Sequence, residues 1–380
     1  MIRNEDIETL LSLDIREVVE EFGVDLKKSG VNYKGICPFH TDQNPSFFVS
    51  PAKGICHCFV CGKGGNPISF VMEKESMTFP EACKELAKRF NKKIEVEERK
   101  PTPEEEELYR KKEAAFIIFD HVQKYFVECL HADTPEAKAA LSYAVARWGK
   151  EEIEVLGIGY ANSDWQGIIN FAKKEGLSLE LMKEMNLISV SDKGNEYGFY
   201  HDRMTIPVRD RFGRIVSYTA RTMDEHLEKG SKYINGTDSF LFHKSEILFG
   251  MNTAQREGAK QELFYIVEGA PDVIRMQQIG VCNTIAPLGT AFTREQFEQL
   301  RRFHPKLCFI PDADKAGIAA VIKNGKMAME NGFRVLVKEI PVGEDGKKED
   351  ADSYFKTKSK VEETKNEDFV LWLARKKYND

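Results

Sequence analysis

Two sets of side chains in this sequence have the types and spacing to do chemistry. The first is Cys37-Pro-Phe-His40 followed by Cys58-Phe-Val-Cys61. Each half is a pair separated by two residues, so both side chains of a tight knuckle reach one tetrahedral ion. Four sulfur and nitrogen ligands make a closed, structural Zn²⁺ site with no position left for substrate. Cys56 and His57 crowd the second knuckle, but a Cys56/Cys58 pair leaves only one residue between ligands and is the poorer choice. The second set is acidic: Glu268 and Asp272 in Glu268-Gly269-Ala270-Pro271-Asp272, Asp312 and Asp314 in Pro311-Asp312-Ala313-Asp314-Lys315-Ala316-Gly317, and Asp350 with Asp352. Like charges raise one another's pKa, so such a group cannot all ionise in isolation. A divalent cation removes the conflict, and oxygen-only ligands favour Mg²⁺ or Mn²⁺, which keep waters and bind substrate phosphates. One such Asp is more often a helix cap; three loaded sites together favour metal and phosphate chemistry.

The elements around the acidic set explain why it would converge. From residue 262 onward short apolar strands alternate with helices: Leu263–Val267, Val281–Ala286, Leu307–Ile310 and Phe333–Ile340 read as strands, with helices after Pro271, from Thr293 to Phe303 and from Ala316 to Asn331. That alternation implies a parallel sheet with right-handed crossovers. Ligands of such sheets sit beyond the carboxyl ends of the strands, where each acidic pair lies. Gly269 and Gly317 remove side chains where the backbone must turn tightly or a phosphate must approach.

The cysteine-rich segment needs different support. Residues 1 to about 30 read as helical, Pro45–Ser50 as a strand, and Gly62, Gly64 and Gly65 as a turn into helices near Ile68–Met72 and Phe79–Phe90. This module is small, so the metal is expected to supply much of its folding free energy. A linker over 97–107 runs into a helix start, where Thr102 caps, Pro103 takes the first position and Glu104 and Glu105 suit the positive end of the dipole. Helices over about 103–130, 135–148 and 165–175 follow, then strands Met204–Val208 and Ile215–Thr219 around a turn at Asp210–Gly213. The expected division is a zinc-ribbon domain over 1–96, a mixed α/β basic subdomain over 108–255, a parallel-sheet domain over 256–345 and an acidic loop with a short C-terminal helix over 346–380.

The chain has 380 residues, enough for two or three domains with real cores. No apolar run reaches the roughly 18–20 residues of a membrane span, and Met1–Asp6 lacks the apolar core of a secretory signal. Reduced thiols in the cytoplasm are therefore expected for the eight cysteines, with Cys83, Cys129, Cys282 and Cys308 as buried thiols. A formal net charge of −6 argues against wrapping nucleic acid with the whole surface but leaves room for a local basic groove. His121, His131, His226 and His304 have no partners at metal spacing, and Trp148 and Trp165 are expected as core anchors. The absence of a Gly-x4-Gly-Lys-Ser/Thr loop excludes a helicase motor of the usual kind.

At this point the residues resemble a known family. Glu-Gly-x-x-Asp followed by Asp-x-Asp and Ala-Gly is similar to the pattern of toprim domains. The two knuckles resemble the N-terminal zinc ribbon of bacterial DnaG-type DNA primases. The middle segment adds Asp202-Arg203, then Gly213-Arg214 through Arg221, Lys232-Tyr233-Ile234-Asn235 and Leu241-Phe242-His243-Lys244, similar in order to the basic motifs of the primase core. The resemblance runs over about residues 4 to 355. It implies an enzyme, a nucleotidyltransferase that extends RNA on single-stranded DNA from NTPs. Glu268, Asp312 and Asp314 would be its main catalytic Mg²⁺ residues and Asp272, Asp350 and Asp352 supporting ones. Arg203, Arg221, Lys232, Tyr233, Asn235 and Lys244 would contact nucleotide or template, with Tyr218 and Tyr233 available for stacking. Glu268 is also a candidate general base.

The chain departs from the family at two motifs: Thr219-Ala220-Arg221 stands for a glycine-rich approach, and Asp350-Ala351-Asp352 for Asp-Pro-Asp after a polar insert over 344–349. It ends soon after a helix near Glu367–Lys377, so the usual helicase-docking domain is expected to be absent and recruitment by a replicative helicase is left open. A monomer is expected. Two rivals stay open: a toprim-type nuclease or topoisomerase relative, although no strand-cleaving tyrosine domain is apparent, and a noncatalytic zinc-dependent DNA-binding module.

Overall fold

The computed structural model describes residues 2–42, 44–75, 77–94, 102–223, 231–289, 291–301, 303, 305–341 and 349–379, the last three without their side chains. Residues 97–101 of the expected linker, 344–348 of the polar insert, His226 and His304 lie outside them. The chain forms two compact units, Met1–Glu106 and Glu107–Asp380.

The first unit is a five-stranded antiparallel sheet in chain order, Leu26–Ser29, Asn32–Gly35, Phe47–Ser50, Ile55–Cys58 and Gly64–Gly65. Its start differs from the single helical run read in the sequence: two helices, Asn4–Leu11 and Ile15–Glu21, precede the first strand. Asp14 restarts the helix by accepting the Arg16 N–H at 2.9 Å, and Gly23, at φ 81°, turns the chain out of it. Helix Pro67–Glu75 packs on the last strand, and helix Phe79–Arg89, opened by a capping box between Thr78 and Glu81, packs on that helix and on Asn4–Leu11. Phe47 meets Phe39 and Phe70 at 5.6 and 6.0 Å between ring centroids, and Phe22 joins at Phe70, which gives this small unit an aromatic core beneath the knuckles. At Gly64 any Cβ would sit 2.2 Å from the Cys56 carbonyl oxygen, so only glycine lets the last strand close on the knuckle strand.

The long helix Pro103–Leu130, most of which belongs to the second unit, is capped as the sequence suggests: the Thr102 N–H donates to Glu105 at 2.9 Å and the Glu105 N–H to Thr102 at 3.3 Å. It packs with Pro135–Trp148 on an antiparallel sheet ordered Tyr233–Asn235, Ile215–Thr222, Arg203–Arg209, Gly159–Ala161. The Ile215–Thr222 strand is buried along its whole length. Tyr218 is fully buried against Phe119, Phe126 and Tyr200, so it serves the core and offers no face to a base. Trp148 is likewise core, but Trp165 is 51% exposed and stacks on the His201 ring at 3.6 Å, contrary to the expected anchor.

The second sheet has six strands, ordered Leu248–Phe249, Thr284–Pro287, Leu263–Ile266, Lys306–Phe309, Arg334–Val337, Glu367–Asp368. The inner four are parallel, joined through helices Ala270–Gln278, Arg294–Arg301 and Lys315–Glu330, while both two-residue edges are antiparallel. Edge strands this short leave little unpaired backbone for another chain to join. No helix among the described residues is long and apolar enough to cross a membrane.

Candidate active site

The zinc knuckles come together as their spacing requires. Cys37, His40, Cys58 and Cys61 place ligand atoms all within 4.8 Å of one another. The Cys37 and Cys61 sulfurs are 3.7 Å apart, and Cys58 Sγ lies 3.9 Å from His40 Nδ1. Bonds of about 2.3 Å from a tetrahedral ion separate two sulfurs by about 3.8 Å, so the four fit Zn²⁺. Cys56 is directed elsewhere, its thiol donating to the Gly65 carbonyl at 3.5 Å, and His57 alternates to the other face of the strand, against Phe59. Burial pushes the Cys37 thiol up to about 12 and raises Cys61. At Cys58 burial acts the same way, but the N–H groups of Cys61 and Val60 and the Ser46 hydroxyl outweigh it and lower the thiol. An outer layer holds the knuckle: Asp42 accepts the Cys37 N–H at 3.0 Å and the Ser46 hydroxyl at 2.6 Å. Those bonds lower its carboxyl to about 2, the Ser46 hydroxyl contributing most. The sequence reading missed Asp42 and Ser46, although a short polar side chain just past a ligand pair is a signal for such a turn.

The acidic residues gather at the carboxyl ends of the parallel strands. Leu263–Ile266 and Lys306–Phe309 are paired neighbours, which brings Glu268 beside Asp312: Glu268 Oε1 accepts the Asp312 N–H at 3.2 Å. A Cβ at Gly317 would come within 2.5 Å of Glu268 Oε1 and 2.8 Å of the Asp312 carbonyl oxygen, so that glycine is required by packing around the carboxylates. Asp272 accepts the Gly269 N–H at 3.1 Å, Asp314 caps its helix through the Gly317 N–H at 2.8 Å, and Asp350 caps another through the Ser353 N–H at 2.7 Å.

Electrostatics marks the set as strained. Burial first, then the charges of Asp272, Glu268, Asp350 and Asp314, push the Asp312 carboxyl up to about 8. Burial and the Asp350 charge push Asp272 up to about 7, and burial raises Glu268. Among the described residues the zinc knuckle is the one group of three or more His, Cys, Asp or Glu side chains gathered closely enough to hold an ion by themselves. Mg²⁺ held by Glu268, Asp312 and Asp314 would keep waters and take substrate phosphate oxygens for the rest of its coordination.

Asp352 falls in different surroundings. Its Oδ2 accepts from Arg147 Nε at 2.7 Å and its Oδ1 from Arg275 Nε at 3.0 Å, while its own N–H donates to Asp272 Oδ1 at 3.1 Å. Neither arginine was singled out from the sequence, where nothing distinguishes them from solvated charges.

Arg203, Arg221 and Tyr233 lie at one end of the antiparallel sheet. Arg221 pairs in register with Tyr233 and Met204, and Arg203 with Thr222. The Arg221 guanidinium lies 4.1 Å from the Tyr143 ring centre, with Nε buried and without a hydrogen-bond partner among the described residues. Arg203 reaches the carbonyls of Ser231 and Lys232 at 3.3 and 3.4 Å. Asn235 donates to the Leu288 carbonyl at 2.9 Å, and beside it a cleft of about 490 Å³ is lined by Thr237, Asp238, Lys244, Ser245, Leu288 and Gly289. Tyr233 is half-buried, its hydroxyl 3.3 Å from Arg147 Nη1.

Comparison with known proteins accounts for this arrangement along nearly the whole chain. Residues 2–102 match the CHC2 zinc finger family, 125–255 the N-terminal domain of the DNA primase catalytic core, and 265–355 the toprim-like family. A DNA primase of Listeria monocytogenes is 34% identical over 339 residues, covering 87% of this chain and 53% of that protein. The chain thus spans about half the length of the curated relatives it matches. The crystal structure of the zinc-binding and RNA polymerase domains of Aquifex aeolicus primase is 33% identical, with a TM-score of 0.65 over 94% of this chain and 83% of that one. The RNA polymerase domain of Mycobacterium tuberculosis DnaG, in complex with a double-stranded DNA oligomer with a 6-nucleotide overhang, is 26% identical, with a TM-score of 0.55 over 63% of this chain and 75% of that one. A zinc knuckle, a basic antiparallel sheet and a toprim carboxylate crest, in that order and with those likenesses, establish that this chain belongs to the bacterial DnaG-type DNA primase family.

Proposed function

We propose that this chain is a primase: it synthesises short RNA primers on single-stranded DNA during replication by transferring nucleotides from NTPs. The observation that carries the reading is the contact of Glu268 with the Asp312 backbone, at the ends of adjacent parallel strands and among carboxylates that burial and mutual repulsion hold out of their ordinary range. Glu268, Asp312 and Asp314 would hold Mg²⁺ or Mn²⁺, with Asp272 and Asp350 supplying further negative charge. The cation supplies charge neutralisation at the triphosphate and a more acidic 3′-hydroxyl.

The remaining work falls to the chain itself. In the reaction the primer 3′-oxygen bonds to the α-phosphorus of an NTP, the bond to the β-phosphate oxygen breaks and pyrophosphate leaves. Arg203, Arg221, Lys232 and Lys244 would hold phosphates by charge, which needs no proton transfer. Tyr233 and Asn235 lie on the same strand and would orient the nucleotide or template. Cys37, His40, Cys58 and Cys61 would hold a structural Zn²⁺ whose module binds template DNA. None of the eight cysteines is paired in a disulfide, which suits a cytoplasmic enzyme.

The test is a mixed-sequence single-stranded template with labelled NTPs, first without divalent cation and then with Mg²⁺ restored. Primers that appear only with Mg²⁺ are the expected result. Shortened template, or binding with no product, would replace the reading with a nuclease or a noncatalytic DNA-binding module.

A further inference from the structure

Asp352 sits at the join of two networks. On one side it is buried between guanidiniums that are themselves largely covered: the side chains of Arg147, Arg275 and Asp352 are 20%, 13% and 8% exposed. Arg147 continues into the basic sheet, with Nη1 donating to the Tyr143 hydroxyl at 2.5 Å and to the Tyr233 hydroxyl at 3.3 Å, and Arg221 covers the Tyr143 ring. Arg275 closes the join, donating to the Arg147 carbonyl and, at 2.6 Å, to Gln278. On the other side the Asp352 N–H holds Asp272 Oδ1 within the carboxylate crest.

Both Asp352 oxygens are thus already taken by charged donors at hydrogen-bond distance. A carboxylate in that state gives little to a metal ion, because coordination would leave two buried guanidiniums short of their counter-charge. We propose that Asp352 is a positioning residue that fixes Arg147 and Tyr233 relative to the carboxylate crest, and is not a ligand of its cation. This inference rests on the primase reading for the identity of the nucleotide, but the ion pairs and their consequence for metal binding stand apart from it. An Asp at this place gives the basic sheet a defined distance from the metal-holding residues, so a triphosphate spanning both meets cations and carboxylates already in register. Fixing that geometry in advance lowers the ordering cost of binding.

The experiment uses the whole zinc-loaded chain and two binding readouts besides activity: Mn²⁺ titration followed by electron paramagnetic resonance, and ATP binding at saturating Mn²⁺. Asp352→Asn is expected to leave the Mn²⁺ dissociation constant within about twofold of wild type and to weaken ATP about tenfold, a single 1.4 kcal/mol step. Asp312→Asn, the comparison, loses Mn²⁺ itself. Arg275→Gln, which keeps Asp352 but removes one of its partners, should reproduce the ATP defect and serves if Asp352→Asn does not fold. Loss of Mn²⁺ in Asp352→Asn comparable to Asp312→Asn would make Asp352 a ligand and overturn the proposal. A lowered melting temperature with both dissociation constants unchanged would overturn it too, leaving a purely structural ion pair. A wild-type chain that binds Mn²⁺ and ATP but makes no primers would sink the primase reading alone.

Discussion

The zinc knuckle and the carboxylate crest both gather groups that repel one another once ionised, and they differ in what the surrounding fold does about it. In the knuckle, four ligand atoms are packed within 4.8 Å, backed by Asp42 and Ser46 and by an aromatic core. Nothing is left for a substrate to bind. In the crest the carboxylates are spread over loops after separate strands, and two of them are pushed up to about 7 and 8. A closed site spends metal binding on folding, whereas an open one keeps unmet charge in place for a substrate-borne cation. The contrast implies that removing metal should unfold the first region and relax the second.

The largest effect should come from Cys58→Ala. Structural zinc contributes about 10–16 kcal/mol in small modules, so losing a ligand should unfold the first unit. Limited proteolysis should then cut within residues 2–94 while the unit from Glu107 stays resistant, and bound zinc should fall well below one per chain. A first unit that remains protected without zinc would break the contrast at its strongest point.

Asp312→Asn should do the opposite. Removing one group that stabilises transition-state charge costs roughly 10²–10³-fold in rate, so primer synthesis should fall by at least that much. The same substitution removes a carboxyl that must take up a proton on folding near neutral pH, so the metal-free chain should melt higher, each ~1 kcal/mol being worth about 2–4 °C at this size. A calorimetric scan decides the sign; a lower melting temperature would mean that the carboxylate is stabilising without its cation.

Legibility in the sequence followed the same divide. Knuckle spacing is local, so Cys37, His40, Cys58 and Cys61 could be read directly, and the alternation of strand and helix after residue 262 told where Glu268 and Asp312 would end up. What escaped was set by contacts across long separations. Asp352 meets Arg147 across 205 positions, and no pattern near either residue announces it. Tyr218 looked like stacking material because its strand was read without its neighbours, yet a strand covered on both faces buries every side chain. Trp165 failed in reverse: a large aromatic defaults to the core, but here it sits in a loop against His201 and Tyr197. The antiparallel edges escaped because two-residue strands carry no periodicity.

A smaller change tests how closed the knuckle is. Asp42 touches the Cys37 backbone and Ser46, and has no place in the ligand set. Partners of this kind typically alter metal affinity by 10–100-fold, so Asp42→Ala should weaken zinc binding within that range in a competition titration and leave the fold intact at saturating zinc. No change would mean that the four ligands suffice without their outer layer.

The smallest effect is a pH dependence that separates the two regions without mutation. Asp272 and Asp312 have folded-state values of about 7 and about 8, above the 3.8 of an unperturbed Asp. Between pH 4 and 8 the folded, Mg²⁺-free chain therefore keeps protons that the unfolded chain has already released. More protons on the folded state means that stability falls as pH rises through this window. Mg²⁺ has to displace those protons at low pH and finds them gone at high pH. The rise in melting temperature on adding Mg²⁺ to the zinc-loaded chain should thus be larger near pH 8 than near pH 6, and Asp312→Asn should flatten the difference. An equal rise at both values would mean that the carboxylates are already ionised without metal. The crest would then be a solvated acidic surface, and the difference from the knuckle would be one of geometry alone.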